Sequence, residues 1–173
     1  MRRIAISFLL FLVLCSCTPF QTAPTIDNYK ITKGAQLKEG LPAKNLYVFE
    51  DDKDADEFYN YINKKFGLNN YYVDVEVPFS LVNETYYMSF YEVELLNSTV
   101  DTFGTILGIL AGEELEEEPE EYKHYIAIEV YSKTDDDCLK EGSPSKETII
   151  QYLNNLKKEY LNGENWNREV RVK

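Results

Sequence analysis

Apolar and polar positions change period several times along this chain, and each change marks an element. Leu46, Tyr47, Val48 and Phe49 form a short apolar run suited to a buried strand. Over 51–67 the period is three to four: Ala55, Phe58, Tyr59, Ile62 and Phe66 fall on one stripe, acids crowd the first turn, Lys64 and Lys65 lie in the last, and Gly67 follows. This predicts an amphipathic helix whose charges complement its dipole and whose end is a glycine cap. Past Asn69 and Asn70 the period becomes two, with Tyr71, Val73, Val75 and Val77 on one face and Tyr72, Asp74 and Glu76 on the other, a half-buried strand ended by Pro78. A second strand is predicted over 85–96. Its parity breaks midway, since Tyr86, Met88 and Phe90 share one side while Tyr91, Val93 and Leu95 share the other, and a β-bulge near Phe90 reconciles them. A strand over 125–131 places Ile126, Ile128 and Val130 together. Ser143 and Pro144 then supply an N-cap and a first helical position, and the helix to about 161 turns Ile149, Ile150, Leu153, Leu156 and Tyr160 inward before Gly163 stops it. A short last strand is predicted at 169–172.

This order of elements predicts an α+β fold, an antiparallel sheet of four or five strands with two helices packed on one face. Residues 18–44, with Pro19, Pro24, Gly34, Gly40 and Pro42 among polar neighbours, read as a tether and irregular arm, so the domain itself is expected over 45–173. Within it, 99–122 departs from the plan. An apolar stretch at 103–111 precedes a run of glutamates from Glu113 to Glu121, too long for a hairpin loop. Either a short amphipathic helix or an acidic flap is expected there.

The N-terminus adds a destination. Arg2 and Arg3 precede an apolar run over 4–14, well short of the roughly 20 residues a spanning helix needs, so residues 1–16 read as a signal peptide. The sequence Leu14-Cys15-Ser16-Cys17 resembles the lipobox of bacterial lipoproteins. The resemblance implies cleavage before Cys17, lipid on its thiol, and anchorage in a membrane. Thr18, where the enteric sorting pattern places Asp for inner-membrane retention, implies the outer membrane. The whole chain also resembles, in style only, the small lipoproteins of Bacteroidota. Surface-exported members of that group carry acids just after the cysteine, whereas 18–24 is uncharged here, which favours an orientation facing the periplasm. A tether of about 25 residues would let the domain stand up to about 80 Å from the bilayer.

Charge limits the partners. The chain carries 18 basic and 30 acidic side chains, a net charge of −12, and losing Arg2 and Arg3 with the leader deepens it to −14. Such a surface repels nucleic acid and anionic headgroups. With Cys15 removed and Cys17 acylated, Cys138 is left without a disulfide partner, and the adjoining Asp135, Asp136 and Asp137 disfavour a reactive thiolate. Asp52, Asp54 and Asp56 alternate as in a calcium loop, but Glu57 stands where that loop needs glycine and Asn63 where it needs a bidentate acid. The three acids at 135–137, with Glu141, read as a solvated turn. His124 is the single histidine, on the parity of Ile126 and Ile128, and reads as capping the core edge. No metal, cofactor or catalytic set is therefore expected.

Two functional readings follow. Fourteen tyrosines are many, and Tyr72, Tyr125 and Tyr131 fall opposite the apolar set, beside Glu76 and Glu129. If that face is open, these five residues form a binding surface, since tyrosine has an apolar body and a polar tip; if the arm or the 99–122 insert covers it, they do not. The first reading is thus a non-enzymatic envelope lipoprotein, a binder or scaffold for a basic protein or a glycan. The alternative is a hydrolase of envelope polymer using paired carboxylates among Glu92, Glu94 and Glu129, with His124 nearby.

Overall fold

The computed structural model describes residues 23–54, 56–97 and 121–163. The expected signal peptide with Cys17, nearly all of the acidic insert and the expected strand at 169–172 lie outside these. The elements are β1 (Lys30–Lys33), α1 (Gly34–Leu37), β2 (Asn45–Glu50), α2 (Glu57–Phe66), β3 (Val77–Leu81), β4 (Glu84–Leu96), β5 (Tyr122–Ser132) and α3 (Lys146–Asn162). The strands form one antiparallel sheet in the order β1-β2-β5-β4-β3. The expected α+β layout, a five-stranded antiparallel sheet with α2 and α3 on one face, is what the chain adopts.

That face holds the larger core. Tyr47 and Phe49 of β2, Phe90 of β4 and Ile126, Ile128 and Val130 of β5 meet Phe58 and Ile62 of α2 and Ile149, Leu153, Leu156 and Tyr160 of α3. Phe58 stands edge-on to Phe90 and Tyr160, with ring centroids 4.9 and 5.0 Å apart, the arrangement ring quadrupoles favour. Each buried phenol finds an acceptor: Tyr47 Oη donates to Asn154 Oδ1 at 2.9 Å, and Tyr160 Oη to Asp51 Oδ2 at 2.8 Å.

The opposite face carries a second core, and the N-terminal arm makes it. Ile26 and Leu37 cover Leu46, Val48, Val93, Leu95, Tyr125 and Ala127, with Ala23, Leu41 and Tyr91 at the margin. Residues 30–33, read from the sequence as irregular, are an edge strand paired with β2 from Lys30↔Val48 to Lys33↔Asn45. Gly34 permits this docking, because a Cβ there would lie 2.4 Å from Pro42 O and 2.9 Å from Leu41 Cβ.

The expected bulge near Phe90 is absent. β4 pairs with β5 in unbroken register from Tyr86↔Ser132 to Leu96↔Tyr122. What changes midway is the cover. The helices lie over the even residues 86, 88 and 90, and the arm lies over the odd residues 93 and 95, so both parities are apolar in turn. Other boundaries shift for local reasons. Residues 71–76 are not a strand; Tyr72 and Glu76 take positive φ, and β3 begins at Val77 and contains Pro78. A proline is tolerated there because β3 is an edge strand. A two-residue turn, Val82 and Asn83 both at positive φ, joins β3 to β4. Helix α2 starts at Glu57 rather than 51, with Asp56 left-handed before it. Its end is as expected: Gly67 has φ 64°, Gly67 N–H donates to Lys64 O, and Leu68 N–H to Asn63 O. Helix α3 starts two residues beyond Pro144, because Ser143 Oγ is engaged by Asp135 Oδ2 at 2.8 Å.

Candidate functional site

Of the five residues expected on a tyrosine face, the structure unites three. Tyr131 on β5 donates its hydroxyl to Glu76 Oε1 at 3.0 Å. Glu129, two residues earlier on the same side of β5, accepts from Tyr91 Oη at 2.8 Å. Glu76 is set in place by its own backbone N–H, which donates to Ser89 Oγ on β4 at 3.1 Å. Tyr125 does not belong to this surface. It is buried under the arm, with its hydroxyl donating to Pro24 O at 2.6 Å, because the arm covers that end of the face. Tyr72 is not on a strand; it projects from the loop that ends in Glu76, 63% exposed, with its ring edge-on to that of Tyr71.

Three further residues complete the site. Tyr87 pairs with Tyr131 across β4 and β5, and the rings stack with centroids 5.5 Å apart. Lys44 Nζ lies 4.9 Å over the Tyr131 ring and 3.5 Å from Glu129 Oε2. That oxygen is buried and accepts no hydrogen bond among the described residues, so the Lys44 ammonium is the charge facing it. Tyr87 and Tyr91 share the parity of Val93, the face opposite the helices. A bulge would have turned Tyr91 to the other side of the sheet, which is why the sequence pattern hid it.

The electrostatics follow from this placement. Partial burial first, and then the bond to Glu76, push the Tyr131 hydroxyl up to about 12. Burial and the bond to Glu129 raise Tyr91 in the same way. Both phenols therefore stay protonated and act as donors. The site is an aromatic platform with carboxylates along its edge, and it holds one ammonium between a ring face and a carboxylate.

The candidates for acid catalysis divide between faces. Glu92, Glu94 and His124 share one rim with Asp51 and Lys53, around a recess of about 270 Å³. Glu129 is on the other face of the sheet. His124 Nε2 lies 3.9 Å from Glu94 Oε1. Burial and the neighbouring carboxylates of Asp56 and Asp51 raise Glu92, against the lowering effect of a backbone donor at Asp56. Desolvation likewise raises Asp51, opposed by the hydroxyl of Tyr160.

No family model, curated protein or solved structure matches this chain.

The acids at 135–137 are structural. Asp135 accepts from Lys140 Nζ at 2.7 Å as well as from Ser143, and Asp137 Oδ2 accepts from Asn45 Nδ2 at 2.8 Å, tying this loop to the start of β2. Of the expected solvated turn, Asp136 is the well-exposed member. Cys138 is wholly buried, and its thiol is raised by that burial. Among the described residues no three His, Cys, Asp or Glu side chains group as a metal would need.

Proposed function

We propose that this chain is a non-enzymatic lipoprotein of the outer membrane, anchored through Cys17 and facing the periplasm, that binds a basic protein partner at the Tyr131 surface. The observation that carries the reading is Lys44. Its ammonium occupies the space between the Tyr131 ring and Glu129, so the surface already holds the kind of group a partner's lysine or arginine would present. The adjoining loop adds what an interface core requires, since Tyr71 and Tyr72 are 70% and 63% exposed and Val75 is exposed beside them. The net charge of −14 that remains once Arg2 and Arg3 leave the −12 of the whole chain speeds encounter with a basic partner.

The test is titration of a lysine-rich peptide against single variants. Tyr131→Ala removes the platform and should weaken binding roughly 10- to 30-fold, the scale of an interface anchor. Lys44→Ala removes the internal competitor and should strengthen it. Binding that ignores Tyr131→Ala, or that Lys44→Ala weakens, would refute the reading; a glycan that binds in the peptide's place, sensitive to Tyr131→Ala but not to salt, would replace the partner. The recess around Glu92 favours a second reading, a hydrolase of envelope polymer. Turnover lost in Glu92→Gln and kept in Tyr131→Ala would establish that one instead.

A further inference from the structure

The docked arm determines how near the membrane this domain stands. Ala23 N–H donates to Leu96 O at 3.1 Å, Ile26 is buried against the sheet, and Tyr125 holds Pro24 O. From Ala23 onward the chain therefore belongs to the domain. Cys17 lies six residues before Ala23, a span of at most about 20 Å when fully extended. An undocked arm would free the chain as far as Asn45 and allow roughly 95 Å.

We infer that the end of the sheet formed by Ala23, Leu96, Asn97 and Glu121 is the membrane-facing end, held there by a short leash. The inference rests on the acylation of Cys17 proposed above. Ala23 meets β4 at its last residue, and Asn97 N–H donates to Glu121 O at 2.7 Å beside it, so these residues share one end of the sheet. The Val82 and Asn83 turn lies at the other end of β4, about 44 Å away along an extended strand. The partner at the near end is the lipid surface itself. The Tyr131 platform, paired with Tyr87 close to the far end of β4, is turned toward whatever the periplasm holds.

Energy transfer tests this in the full-length lipidated protein reconstituted into phosphatidylcholine vesicles with an acceptor on the headgroup. A donor is placed on a cysteine introduced by Glu121→Cys or by Val82→Cys. Labelling is specific, because Cys138 is buried and the Cys17 sulfur is taken by the lipid. Transfer from 121 should exceed transfer from 82 several-fold. Ile26→Asp, which frees the chain to Lys30 and lengthens the leash to about 45 Å, should narrow the difference. Tyr125→Phe, a milder change that deletes only the bond to Pro24, should narrow it less. Equal transfer from both positions, in protein that incorporates labelled palmitate, overturns the leash. Failure of Cys17-dependent palmitate labelling overturns the anchor itself.

Discussion

Val82 illustrates what a single residue costs this fold. It sits in the β3–β4 turn with φ 48°, a conformation that a β-branched side chain disfavours, and it is 88% exposed, so no contact compensates. Val82→Asn, which suits a left-handed turn position, should stabilise the protein by about 1 kcal/mol in urea unfolding. A loss of stability would mean the valine makes a contact that its exposure denies. Asp51 carries a pH dependence of defined sign. Burial raises its folded pKa above the unfolded value, so its contribution is most favourable when it is protonated and is lost as pH rises through the folded pKa. Asp51→Asn should therefore gain on the wild type between pH 4 and pH 7, as measured by unfolding at both. A difference that stays flat across that range would show the carboxylate is not penalised.

Among the elements, those with a uniform apolar pattern were legible, the two-sided strands β2 and β5 included, and those whose cover changes along their length or whose anchors are sparse were not. Helix α2 and its glycine cap follow from a single apolar stripe and a chain reversal that only one residue type meets easily. β4 was misread because its two faces are covered over different stretches, so an uninterrupted strand imitates a bulged one. The arm was missed for a related reason: its anchoring groups, Ile26, Gly34 and Leu37, are too few and too scattered to show a period. At the site, parity places Tyr131 on the side of Glu129, whereas the fate of Tyr125 depends on Pro24, 101 residues away. Gly34→Ala offers the sharpest test of the arm. The added methyl meets a carbonyl oxygen that cannot easily move, so the change should cost about 1–3 kcal/mol and raise amide exchange over 23–44 before it raises exchange in β4 or β5. Unchanged exchange in the arm would show that it docks independently of Gly34.

For the whole molecule, charge and hydrophobic cover divide the labour. Much of the tyrosine content serves the two cores rather than a ligand: Tyr47, Tyr61, Tyr86, Tyr125 and Tyr160 are all buried. Tyr71 and Tyr72 are exposed on the loop at 71–76, near Glu76 and the Tyr131 platform, while Tyr122 is exposed at the opposite end of the sheet, where it pairs with Leu96. If the proposed basic partner docks at the acidic, aromatic region around Tyr131, its binding should weaken as salt screens the attraction.

Strand order also carries a consequence in time. β5, the last strand in the sequence among the described residues, lies between β2 and β4. β1 with β2, and β3 with β4, can pair as soon as each is made, yet the two ribbons share no strand until β5 joins them. The arm finds no complete landing surface until then, because Tyr125 and Ala127 of β5 form part of it. A chain emerging N-terminus first thus holds its two ribbons apart until β5 is made and closes late, around a keystone strand that arrives after the two strands it joins, with α3 still to follow.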